Sequence, residues 1–507
     1  MWQVHSDRQR RVQVLSGHLE DIASSKHKLI LQLEELDARR KAVQLERNQL
    51  HNLDAPTSNL PNEVLAMIFE AGMDLGGGPQ IDFGRIASHV SHRWRSIAVN
   101  APRLWTQIRY IREPLVAKSK SSKFRSHTTL PPNLNKAITY LSRSGMAPID
   151  ICIKNVKEQD MMPEFLQSIA DHIGHCRSLC VLNTEKDAFP QILKYASHCA
   201  APILESLSVL SGPLGNGFPD TLFPRGALCL RTVALDDLDA LPSFLPAIAS
   251  VRQLQFSKFQ IKDHESYGNI RNAFMALHSL SHLKLGTYGI PPPDLAPIEL
   301  PRLRCLELDF RTYPTSFRNT IGLINAPVLN CISVAGWVIG HRDLPELAMP
   351  ETICPSVCHL KINGALAATR GFDLMAKLFP NVEQLTLRGE HFVTVGSCQK
   401  TLKKEDLNQI LVAILNREEG EEEHERDEQV RWPKLRSIAV SALRLPLEVQ
   451  ELRSTIFKLK KYGRPLETLS LPEIFWTEAP GDADALRDVV DVEEYHDESP
   501  APFGRVL

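Results

Sequence analysis

At 507 residues the chain exceeds what one hydrophobic core holds, so it needs either several domains or one extended array. A formal charge of −2, with 43 % apolar and 23 % charged residues, fits a folded chain and excludes a global field for nucleic acid or anionic membrane. No run of about 18 apolar residues predicts a membrane span, and the opening MWQVHSDRQRR lacks the apolar stretch of a secretory signal.

The first predicted element is a long amphipathic helix over residues 1–54. Counting by sevens from Leu15 reaches Ile22, Leu29, Leu36, Val43 and Leu50, all apolar. The row four residues later holds Leu19 and Leu33 but also Lys26, Arg40 and Arg47. One strong row and one mixed row fit a parallel or antiparallel coiled-coil homodimer, and equally a single helix laying its stripe on its own chain. Pro56 ends the helix, because its ring and missing N–H cannot continue the ladder.

Residues 57–108 read as a small helical module. Asn59 can cap a helix, Pro61 suits its first turn, and Glu63 favours the positive end of its dipole. Leu60, Val64, Leu65, Ile68 and Phe69 are spaced to share one apolar face. A Gly-rich loop at 76–79 separates this helix from a second helical stretch carrying Ile86, Val90, Trp94 and Ile97. A short piece with Pro102, Leu104 and Trp105 follows. A module of about fifty residues has little core of its own. Its surplus apolar face is expected to bind a partner or the adjacent domain, or to cap the array that follows.

Four pieces occur here in order: Leu60-Pro61-Asn62-Glu63, Ile68-Phe69, Val90-Ser91-His92-Arg93-Trp94-Arg95 and Leu104-Trp105. Together they resemble the F-box, and with the repeats described next the chain resembles fungal-type F-box proteins with C-terminal leucine-rich-type repeats. Ser91 stands where the family commonly has Cys, and the first loop is richer in Gly. The resemblance implies docking onto a Skp-type adaptor of a cullin ubiquitin ligase. It assigns adaptor contacts to Leu60, Pro61, Val64, Leu65, Ile68 and Trp94.

Residues 109–135 read as a basic linker, with four lysines and arginines between 118 and 125 and then Pro131-Pro132. A solvated connector and a nuclear-localisation or phosphate-binding segment both fit it.

Over residues 136–476 an apolar triplet recurs, with two spacers and then one. It appears as Leu204-Leu207-Val209, Leu230-Val233-Leu235, Val251-Leu254-Phe256 and Leu280-Leu283-Leu285, and then as Leu303-Leu306-Leu308, Leu329-Ile332-Val334, Val357-Leu360-Ile362 and Val382-Leu385-Leu387. Leu435-Ile438-Val440 and Leu466-Leu469-Leu471 follow a gap, and weaker members start near Pro148 and Leu179. Steps run from 21 residues (230 to 251) to 31 (435 to 466), which brackets the leucine-rich range. The step of 53 from Val382 to Leu435 suggests one degenerate or interrupted unit. A proline precedes the first apolar residue by two in six units, at Pro202, Pro301, Pro327, Pro355, Pro380 and Pro433, as a strand start would tolerate.

The predicted fold is therefore an α/β solenoid: an irregular leucine-rich horseshoe of parallel strands with helical return segments such as 271–277 and 372–378, preceded by the all-α module and the long helix. Alternation within strands should turn the spacers toward solvent on the concave face. Gln255, Lys284, Glu307, Asp309, Lys361, Thr386 and Arg388 are the candidate substrate contacts there. Their mixed charge suits a folded protein partner, not a nucleic acid. An acidic insertion at 417–429 and an acidic tail at 477–507 are expected to be disordered, after a last buried turn at Leu471, Phe475 and Trp476.

No P-loop, nucleophile elbow or H-E-x-x-H pattern is present, so no enzyme is expected and no cofactor. Ten cysteines are scattered, which with the absent signal implies reduced thiols in cytoplasm or nucleus. Cys176/Cys180 beside His172 and His175, and Cys354/Cys358 beside His359, have loose metal spacing without a matching second pair. Buried thiols are the expectation and a metal site is not.

Overall fold

The computed structural model describes residues 2–53, 56–75, 82–112, 132–185, 188–197, 199–210, 222–224, 226–238, 241–289, 291–292, 295–311, 317–336, 354–364, 371–389, 391–393, 400–402, 406–415, 431–442, 447–461, 466–478 and 480–496. They divide into two compact units, residues 1–104 and 105–507. The basic stretch at 118–125, the Gly-rich loop at 76–79 and the acidic insertion at 417–429 lie outside the described residues.

The first unit is helical. Helix α1 spans Trp2–Leu53. Between residues 10 and 51 all its side chains are exposed, except that of Asp37, which is half-buried. A single 3-10 turn, Pro56–Asn59, precedes α2 (Asn62–Leu75), α3 (Phe83–Ser88) and α4 (His92–Val99). Asn59, expected as a cap, lies in that turn instead, and the carbonyl of Pro61 accepts the first helical bond from Leu65 N at 3.1 Å. Two caps the sequence did not announce are present. The Asp82 carboxylate accepts from Arg85 N at 3.3 Å and starts α3; Ser91 Oγ accepts from Trp94 N at 3.2 Å and starts α4.

The second unit is built on one sheet that has, among the described residues, 14 strands whose order across the sheet is their order along the chain. They are β1 (Gln107–Ile111), β2 (Ile149–Lys154), β3 (Cys176–Leu182), β4 (Ser206–Leu210), β5 (Thr232–Asp237), β6 (Gln253–Phe259) and β7 (His282–Thr287). The sheet continues with β8 (Cys305–Asp309), β9 (Cys331–Ala335), β10 (His359–Asn363), β11 (Gln384–Arg388), β12 (Ser437–Val440), β13 (Thr468–Leu471) and β14 (Asp491–Glu494). Every neighbouring pair is parallel. Parallel neighbours need a return segment between them. Helices such as Leu134–Ser144, Pro163–His172, His264–Met275 and Phe372–Leu378 supply it.

The triplets explain why the sheet holds. All three residues of each triplet have at most 2 % of their surface exposed. The two strand members point to the helix side, where aromatic contacts seal the layers. Phe274 of the helix His264–Met275 meets Phe256 of β6 at 5.7 Å, and Phe165 of the helix Pro163–His172 stacks on Tyr110 of β1 at 3.9 Å. The first member sits just before the strand. Its N–H closes a tight turn onto the residue three back: Leu204 N to Ala201 O at 3.3 Å, Leu303 N to Leu300 O at 3.1 Å, Leu329 N to Ala326 O at 3.1 Å and Leu435 N to Trp432 O at 3.2 Å. The recurring proline therefore occupies the second position of a β-turn, where its fixed φ is pre-set, and is not the strand start that the sequence suggests. Units without it, at Leu230, Val251 and Leu280, close the same bond.

Three boundaries differ from expectation. Strand β1 crosses the boundary drawn between module and linker at 108/109, so the array starts near Trp105 and not at 136. Arg112, placed in the linker, is buried and donates from Nε to Asp160 Oδ2 at 3.0 Å, while Tyr110 Oη donates to the Asp160 carbonyl at 2.5 Å. At the 53-residue step β11 pairs directly with β12, so the sheet loses no strand. The surplus holds an antiparallel pair, His391–Val393 with Lys400–Leu402, and a helix, Leu407–Leu415. Residues 477–507, expected as a disordered tail, include a helix (Pro480–Arg487) and strand β14 through residue 494. Ala483, Leu486, Val490 and Val492 are buried there; their helical and strand spacing was masked by the surrounding acids.

Candidate functional site

Two surfaces carry side chains that the fold leaves unoccupied. The first is on the helical unit. Leu65 and Phe69, one turn apart on α2, are fully buried with Ala87, Ala98 and Leu104. Phe69 packs on Trp94 of α4, ring centroids 4.7 Å apart, which leaves Trp94 half-buried. Val64 and Ile68 lie one residue earlier on the helix and turn outward, 38 % and 46 % exposed, with Met67 at 69 %. On the next segment Ile86 and Val90 are 50 % and 54 % exposed. So many large exposed apolar groups in a small unit mark a binding face. The expected contacts therefore separate: Val64, Ile68 and Pro61 are exposed and Leu60 is half-buried, but Leu65 is core and must be withdrawn as a contact.

Arg93 organises the opening of this unit. Its guanidinium donates to Asn62 Oδ1 at 3.0 Å, to the Ser58 carbonyl at 2.6 Å and to the Leu60 carbonyl. A planar fork suits three acceptors in one loop. Sequence reasoning missed this residue because the three acceptors lie more than thirty positions away.

The second surface is the sheet face opposite the helices. Register sets Gln255, Lys284, Glu307, Ser333, Lys361 and Thr386 side by side on β6 to β11. Asp309 and Arg388 lie in the next row, at the third outward position of β8 and β11. Lys284 Nζ is 3.4 Å from Glu307 Oε2, so these two candidates neutralise each other. Asp309 accepts from Arg311 Nε at 2.9 Å and from Arg311 N at 3.1 Å. Burial pushes its carboxyl up, but those bonds and the Arg311 charge hold it below the usual range. Thr386 is 7 % exposed, with Oγ1 2.8 Å from His359 Nε2. It is a buried partner of His359 and not a solvent-facing contact, which corrects its assignment. His359 is pushed down to about 4 by burial and by the Lys361 and Arg388 charges, so it is neutral at physiological pH. The result is a face on which the acids of β8 are paired with Lys284 and Arg311, next to the cationic side chains Lys361 and Arg388 of β10 and β11.

The cysteines pair across strands instead of along the sequence. Cys152 faces Cys180 on β2 and β3, and Cys305 faces Cys331 on β8 and β9. Cys176 is buried and its Sγ donates to the Ser178 carbonyl at 3.2 Å. Among the described residues no group of three or more His, Cys, Asp or Glu is arranged to hold a metal ion. Among the same residues no helix is long and apolar enough to cross a membrane.

Residues 57–110 match the family model described as F-box-like. The match spans the four motif pieces and ends on β1. No curated protein matches the chain. A solved structure of a Bacteroides fragilis protein, a structural-genomics target, is similar over 53 % of this chain and 65 % of that one, at 14 % identity and a TM-score of 0.27. The chain thus spans a little under two thirds of that structure.

The F-box-like domain places the motif residues in distinct jobs. Leu60-Pro61 is the loop clamped by Arg93, Ile68-Phe69 is one outward and one inward residue, and Ser91 is a helix cap. Leu104 covers Gly84, where an added Cβ would sit 2.9 Å from the Leu104 carbonyl oxygen. Trp105 belongs to the repeat unit, with its ring 4.9 Å from Tyr140 and the Arg143 guanidinium 4.5 Å above it. F-box domains generally bind Skp-type adaptors.

Proposed function

We propose that this chain is the substrate-recognition subunit of an SCF-type cullin ubiquitin ligase. The F-box-like domain docks a Skp-type adaptor, and the outward face of the repeat sheet, curved as the concave side of a horseshoe, holds a protein substrate. The observation that carries the reading is the outward row Val64, Met67 and Ile68 on α2 of that domain, apolar and uncovered. The mechanism is tethering. Rate comes from the effective concentration of substrate near the conjugating enzyme, and the chain supplies no catalytic side chain of its own. Cytoplasm and nucleus are the expected compartments.

The second reading is a ligase-independent scaffold that uses α1 and the repeats, favoured by the uncovered apolar row along α1. Capture of the tagged chain from cells separates the two. The ligase reading expects a cullin recovered with the adaptor in comparable amounts. A charge-reversed face, Glu307→Lys with Lys361→Glu, should keep both and lose the substrate. Adaptor without cullin would support the scaffold.

A further inference from the structure

We propose that α1 pairs antiparallel with α1 of a second copy of this chain. The helix carries a straight apolar row, Leu15, Ile22, Leu29, Leu36, Val43 and Leu50, whose members are 55 to 65 % exposed. Over the 35 residues from Leu15 to Leu50 (50 − 15) the row runs about 50 Å along the axis. A row spaced by sevens over that length is the seam of a coiled coil, and another helix of equal length covers it.

The companion row decides which helix. In heptad terms the apolar row is d, and position a holds Val12, Leu19, Lys26, Leu33, Arg40 and Arg47. A parallel in-register pair stacks each a residue on itself. It would set Lys26 on Lys26, Arg40 on Arg40 and Arg47 on Arg47, three like-charge layers in one seam. In an antiparallel pair each a residue faces a d residue. With residues whose numbers sum to 62 opposed, Leu19 meets Val43 of the second copy, Leu29 meets Leu33, and Val12 meets Leu50. Lys26, Arg40 and Arg47 then lie against Leu36, Ile22 and Leu15, so every cation lays its methylene stem on an apolar residue and sends its head to water.

Two flanking positions agree. Ile30 stands off the row and is 45 % exposed; in this register the two-fold passes residue 31, and the Ile30 side chains of the two copies flank it on the same side of the seam. His18 approaches Glu46 of the second copy, and no flanking pair matches like charges. Self-complementarity about a two-fold is the condition for an isologous dimer. Covering about ten half-exposed apolar side chains on each of two helices removes on the order of 1,500 Å², within the range of specific interfaces.

The test uses the full chain. Light scattering on a sizing column is expected to give about twice 56.9 kDa, and the Leu29→Glu, Leu36→Glu variant 56.9 kDa with the melting transition of the array unchanged. A wild-type monomer at tens of micromolar, or a chain that is monomeric alone and pairs only with another protein, overturns the proposal. Orientation is read by mild oxidation: Leu19→Cys mixed with Val43→Cys should cross-link between chains at least tenfold faster than either variant alone. Efficient self-cross-linking of Leu19→Cys would show a parallel pair and overturn it.

Discussion

Single side chains in this protein do work that their motif position does not reveal. Ser91 looks like a departure from a family pattern, yet its hydroxyl starts α4. Ser91→Ala should lower stability of the F-box-like domain by about 1 kcal/mol in urea unfolding, and Ser91→Asp should restore it. Leu65 and Ile68 share an apolar stretch in the sequence, but only geometry says that one is core and the other uncovered. Thr386, a candidate substrate contact in the sequence, and His359, which the sequence places beside Cys354 and Cys358, are partners across β10 and β11. His359 titrates near 4 in the fold and about 6.5 when unfolded, so the folded state binds fewer protons. Its contribution is therefore flat above about pH 6.5 and unfavourable as pH falls toward 4, by on the order of 3 kcal/mol. His359→Gln should remove that part of the decline between pH 6.5 and 4. An unchanged slope would show that His359 is not the titrating group.

Elements were more legible than residues wherever period and burial coincide. The triplets are a strand signal that repeats, so errors at one unit are corrected by the next, and every triplet was found buried. The same logic failed where local composition overrode spacing. Leu486, Val490 and Val492 sit among acids, and the last unit was read as tail. A chain ending after Glu478 should leave Leu469 and Leu471 of β13 without their outer neighbour. It is expected to melt several degrees lower and aggregate on heating. The prolines were recognised as equivalent but given the wrong role, because a turn and the strand after it differ by two residues. Since the turn forms at Leu280 without proline, Pro301→Ala should cost only about 0.4–1 kcal/mol, through the unfolded chain. Leu306→Ala, in the strand that follows, should cost 2–5 kcal/mol, because it opens a cavity between sheet and helices (approximately).

At the scale of the molecule, two units divide two tasks. The helical unit leaves large apolar side chains such as Met67, Ile68 and Val90 uncovered, and the repeat unit has a long outward face of mixed charge. The buried Arg112–Asp160 pair ties the end of β1 to the segment that follows β2, so the first two strands of the array are fastened together. Asp160→Ala should destabilise the array by roughly 3–5 kcal/mol, because it takes the carboxylate away from a buried guanidinium. Division into module and array was legible from motif order and period. The partners of each surface were not, because recognition depends on which apolar residues remain outside once the core is packed. The most direct measurement is a titration of the purified full chain with a purified Skp-type adaptor, followed by sizing and calorimetry. A one-to-one complex is expected, weakened at least a hundredfold by Val64→Glu with Ile68→Glu while the melting curve stays in place. Absence of binding by the wild type, or equal binding by the double variant, would contradict the assignment of that face.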